Sequence, residues 1–166
     1  MRTLFVLVLI LPLTAGGARA HAEQWPGVYI PNQITRATVQ IALAAAASSL
    51  AKPRCREVLD DFRDEAGVLL SARLAEIGVD AVTYLGRLRF RDGSLAPQCQ
   101  KPATLMFTVP GSKVVFICGR QIESMARQDR GYLNVMMIHE LLHTLGLGEN
   151  PPTSQDITVR VTNRCR

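Results

Sequence analysis

MMIHELLHTLGLGENPP, residues 136–152, holds two of the three histidines in the 166-residue chain, four positions apart, with a glutamate directly after the first. Read as a helix, the spacing puts His139 and His143 on one face, where two imidazoles can reach one ion. Glu140 lies about 100 degrees further round that helix, beside the ion and off it. Met136, Met137, Ile138, Leu141, Leu142 and Leu145 surround the three polar residues, so the helix belongs in a core. Two imidazoles and a carboxylate buried there without partners would cost roughly 1–3 kcal/mol per unsatisfied polar group, and more for the charge. A bound metal supplies the partner. A chance match on an apolar helix is the competing reading.

Downstream, Gly146 falls where a helix needs a left-handed residue to stop. Glu149 then arrives six residues after His143, and Pro151-Pro152 stiffen the returning chain. Glu149 is the expected third ligand. Asp156 is its rival, although Thr153 to Asp156 also spell a capping box at the start of a terminal helix. A solvated loop acid is the third reading of Glu149.

These residues resemble the zincin metallopeptidases, and in particular the metzincin pattern H-E-x-x-H-x-x-G-x-x-H. His139, Glu140, His143 and Gly146 match it position for position, and Glu149 stands where the third histidine would be. The run HELLHTLGLGENPP also resembles the signature of small exported bacterial proteins described as metallopeptidases. The resemblance implies Zn2+ held by His139 and His143, Glu140 as general base on a zinc-activated water, and hydrolysis of peptide bonds. Metzincins carry a methionine turn after the third ligand, and no methionine follows Met137 here. The likeness is therefore to zincins broadly.

The rest of the chain reads as an α+β domain, mostly helical, with a β-hairpin ahead of the histidine helix. ITRATVQIALAAAASSLAK (34–52) has strong helix propensity, and a new helix is expected from Pro53 through RCREVLDDF. AGVLLSARLAEIG closes on Gly78, and Asp80 reads as the N-cap of AVTYLGRL. ATLMFTV and KVVFIC, separated by Pro110-Gly111-Ser112, read as the hairpin, with Leu105, Phe107 and Val109 sharing a face with Val114, Phe116 and Cys118. RQIESMARQ follows as a short helix, Gly131 breaks it, and the histidine helix is expected from about Tyr132 to Leu145. The strand Lys113–Cys118 is the expected edge for an extended peptide. Tyr132 and Tyr84 are candidates for a second electrophile.

Arg2, the apolar run Leu4–Leu13 and Ala18-Arg19-Ala20 read as a secretory signal peptide over residues 1–20, leaving 21–166 as one domain. The apolar run is short for a membrane anchor, the alternative. Removing it lowers the formal net charge from +5 to +3. With 5% aromatic residues and no Lys/Arg run, nucleic acid is not an expected partner. Cys55, Cys99, Cys118 and Cys165 lack the C-x-x-C spacing of a zinc cluster and imply disulfides in a secreted or periplasmic protein, with three connectivities open. Cys99 and Cys118 flank the hairpin. Cys165 ties down the terminal helix, which leaves Cys55 as its partner. The expected function is a monomeric, secreted zinc metallopeptidase. The alternative is a secreted zinc-binding or interaction protein without turnover.

Overall fold

In the computed structural model, residues 25–166 are described; the segment read as a signal peptide lies outside them. The first long helix, α1 (Gln33–Leu50), starts where the Asn32 side chain accepts hydrogen bonds from the backbone N–H groups of Ile34 and Thr35. Its alanine-rich stretch buries Val39, Leu43, Ala46 and Leu50 against the helices that carry the site. Pro53 opens α2 (Pro53–Arg56). The helix expected to continue through Phe62 ends there, in a single 3-10 turn at Glu57–Leu59. Pairing with residues outside the segment wins over propensity at this point. Asp61 is held by Arg164 from the far end of the chain, and the Phe62 carbonyl accepts from Leu70 N. Helix α3 (Leu70–Ile77) closes on Gly78 at φ 72°, and Asp80 caps α4 (Ala81–Gly86) through Thr83 N.

Four strands form one sheet in the order β1 (Val28–Tyr29), β2 (Arg89–Asp92), β4 (Val114–Ile117), β3 (Met106–Thr108). The first two are absent from the sequence reading. β1 has two residues, and RFRD in β2 offers one core-facing side chain, Phe90, so neither has a period to detect. Gly27 makes their approach possible: a Cβ there would lie 2.1 Å from the Leu88 carbonyl oxygen. β1, β2 and β4 run parallel, and β3 pairs antiparallel to β4 as the hairpin. Phe107 stands opposite Phe116, with ring centroids 5.2 Å apart, in the expected register. The more deeply buried face is the other one, with Met106, Val115 and Ile117. Pairing with β2 takes β4 into the interior of the sheet. The edge is therefore β3, and the expectation of an edge at Lys113–Cys118 is corrected.

Helix α5 (Gly119–Gln128) is followed by α6 (Arg130–Thr144). The break falls at Asp129, whose Oδ1 accepts from Tyr132 N, two residues ahead of the predicted break, and Gly131 sits inside the first turn of α6. Helix α7 (Ser154–Cys165) opens with the reciprocal Thr153–Asp156 capping box. The cysteines form two bridges, Cys55–Cys165 and Cys99–Cys118. Two disulfides suit an oxidising environment. Among the described residues no single helix is long and apolar enough to cross a membrane.

Candidate metal centre

Helix α6 is buried along its last two turns, with His139 1%, Glu140 4% and His143 7% exposed. Its burial follows from the apolar residues around the motif, which pack between α1 and α7. Leu145 and Gly146 then end it. Gly146 takes φ 104°, a conformation costly for any side-chain-bearing residue, and a Cβ there would come 3.2 Å from Asp64 Cβ. Gly148 is packed as closely against Glu65, at 2.9 Å from a Cβ to Oε1. The turn 60–69 thus supports the loop that swings Glu149 back over the helix.

The reversal brings three donors together. His139 Nε2 and His143 Nε2 are 3.0 Å apart. Glu149 Oε1 is 3.3 Å from His143 Nε2 and 3.9 Å from His139 Nε2. For a cation held tetrahedrally at 2.0–2.1 Å from each donor, ligand atoms lie about 3.3 Å apart, so the triangle fits one face of such a site. The opposite ring nitrogens are both anchored. His143 Nδ1 donates to the Leu147 carbonyl at 2.7 Å, and His139 Nδ1 is 3.0 Å from Thr158 Oγ1 on α7. The carbonyl fixes Nδ1–H on His143, so its Nε2 carries the lone pair that a metal takes, and the Thr158 hydroxyl can hold His139 in the same tautomer by accepting from Nδ1. Burial, and then the neighbouring His143, hold His139 down at about 3, so its ring is neutral near pH 7, the ligating form.

Glu140 faces the same cleft. Its Oε2 is buried with no hydrogen-bond partner among the described residues, an orphan that a proton or a donor would satisfy. Burial, and then the charge of Glu149, push its carboxyl up to about 8. The arrangement therefore offers three ligands for one cation, an open side toward the cleft, and beside it a carboxyl that keeps its proton near pH 7 and accepts one only when ionised.

The structure separates the remaining sequence candidates from this group. Asp156 spends its carboxylate on Thr153, in the capping box. Tyr84 donates its hydroxyl to the Thr144 carbonyl at 3.0 Å inside the core, and neither Tyr84 nor Tyr132 lines the cleft. Thr158 and the Leu147 carbonyl, by contrast, were invisible to spacing, because the first depends on how α7 packs on α6. Its one local signal is adjacency to the buried stripe Ile157, Val161, Cys165. Comparison with protein-family models, curated proteins and solved structures returned no match to this chain.

Proposed function

We propose that the chain is a zinc-dependent peptidase of the zincin type, exported and acting on peptide or protein substrates. One observation carries the reading: an HExxH helix whose two imidazoles converge with Glu149, while Glu140, which lines the same cleft, has a buried carboxyl oxygen with no hydrogen-bond partner among the described residues. Three nitrogen and oxygen donors suit Zn2+ with a position left open, whereas a structural site closes with four. When bound, zinc lowers the pKa of a water toward about 7 and polarises the scissile carbonyl.

The protein's own groups do the rest. His139 and His143 bind through Nε2 and Glu149 through its carboxylate. Glu140 takes up the water proton at its free oxygen and returns it to the leaving amine. A bound cation beside it would favour the ionised form, and burial makes that form a stronger base than a solvated carboxylate. The unpaired edge of β3 lies along the cleft wall, where an extended peptide can add as a further strand and be held in register. Leu105, Met106 and Met136 line the same wall and exclude water.

Digestion of a proteome-derived peptide library by the zinc-loaded protein, beside Glu140→Ala, tests the reading. Cleavage present in the wild type and absent in the variant is expected. Identical digests, or metal content that never exceeds background, would leave the alternative of a secreted protein without turnover.

A further inference from the structure

The cleft over the three donors has a volume of about 540 Å³. Apart from the donors and Glu140, one charged side chain lines it, Lys101. Among the described residues Lys101 forms no ion pair. Its backbone is fixed. The 3-10 turn Pro97–Gln100 before it is bridged to the end of β4 through Cys99–Cys118, and Gln121 donates to the Cys99 carbonyl. Lys101 N donates to Gln98 O, and Lys101 O accepts from Thr104 N. A pinned rim therefore presents a free ammonium to the cleft.

Its place along the cleft follows from the hairpin. β3 starts just after the Lys101 segment and runs toward Pro110-Gly111, where Gly111 N donates to the His143 carbonyl at 2.9 Å. Lys101 thus marks one end of the β3 edge and the hairpin turn marks the other. Antiparallel addition is the more stable way for a peptide to pair with an edge strand. In that direction the residues after the cleaved bond run toward Lys101. We propose that Lys101 makes the cleft selective for peptides carrying a carboxylate on the C-terminal side of the scissile bond. An Asp or Glu side chain, or a free chain terminus, supplies it. This selectivity rests on the peptidase reading for the position of the bond, while the carboxylate contact itself needs no turnover.

Binding to the zinc-loaded Glu140→Gln protein isolates that contact. The probes are fluorescein-labelled alanine-rich hexapeptides with Glu, Gln or Lys scanned through the last three positions, each made with a free carboxylate and as the terminal amide. At low salt, carboxylate-bearing peptides are expected to bind up to about fivefold tighter than the Gln amide, the range for an exposed ion pair. The preference should vanish in Glu140→Gln/Lys101→Met and turn toward the Lys-bearing amides in Glu140→Gln/Lys101→Glu. The Glu amides and the Gln free acids separate the two sources of the carboxylate. Equal affinity for acidic and neutral peptides, no peptide binding, or a preference that survives Lys101→Met would overturn the proposal. Wild-type protein that binds acidic peptides through Lys101 and cleaves none would sink the peptidase reading and leave this one standing.

Discussion

Glu140 and His139 are neighbours on one helix turn, and burial acts on them in opposite ways: it raises the carboxyl and lowers the imidazole. Their separate roles predict separable variants. Glu140→Gln keeps shape and ligands but removes the base, so zinc content measured by atomic absorption should be unchanged while peptide hydrolysis falls ~10²–10⁴-fold. Thr158→Val removes the oxygen beside His139 Nδ1 at nearly constant volume. Competition with a chelator should then show zinc affinity reduced about 10- to 100-fold. In the same titration, Glu149→Ala should lose more, and Asp156→Ala should match the wild type. A collapse in Asp156→Ala would move the third ligand onto α7.

At the scale of elements, the site is a helix, a turn and a buttress. Gly146 is the pivot, since its φ of 104° lets α6 stop and the chain return within three residues. Gly146→Ala would strain the backbone by about 1–3 kcal/mol and push a methyl toward Asp64. Thermal melts and zinc titration of this variant should therefore decline together. Preserved zinc affinity in a destabilised variant would mean that the turn shapes the fold without positioning Glu149. The turn residue, the Asp80 cap and the hairpin register were readable in sequence, because each depends on neighbours within a few positions. β1 and β2 were not, since Phe90 becomes a strand residue only when Gly27 and β4 lie on either side of it.

For the whole molecule, the bridge Cys55–Cys165 closes a 110-residue separation and fastens α7 to α2. In the chain-entropy model such a link is worth about 4–5 kcal/mol, so the double variant Cys55→Ser/Cys165→Ser should melt far below the wild type. Stability should also vary with pH in the chelated protein. His139 titrates at about 3 in the fold and 6.5 when unfolded, so its contribution is lost as pH falls from 6.5. Glu140 titrates at about 8 in the fold and 4.5 when unfolded, so its contribution is lost as pH rises from 4.5 to 8. Between 4.5 and 6.5 the two slopes oppose each other and the melting temperature should be nearly flat. Above 6.5 it should drop through Glu140 alone. Below 4.5 it should drop through His139, joined below 3.8 by Asp64, Asp80, Asp129 and Asp156, the second and fourth held low by Thr83 and Thr153. The Val68 N–H and Arg73 hold Asp64 low, and Arg166 holds Asp129 low. Melts at half-unit pH steps in chelator check this, and a curve that rises steadily from pH 6.5 to 8 would contradict it.

Sequence alone determined what a few consecutive residues decide. His139, Glu140 and His143 take their relative places from the pitch of one helix, Gly146 sets where it ends, and Thr153 and Asp156 mark where the next begins. Tertiary structure decided everything that joins distant segments. Helix α7, packing on α6, brings Thr158 to His139, 19 residues away. Packing against the 60–69 turn supports the loop that carries Glu149 to its distances from the two imidazoles. The pairing of β2 with β4 left β3 as the edge beside the cleft, and a disulfide fixed Lys101 at its rim. Local propensity extends over a turn or two of chain. Which surfaces then meet depends on burying apolar area and satisfying polar groups across the whole core, and no short window of residues contains that information.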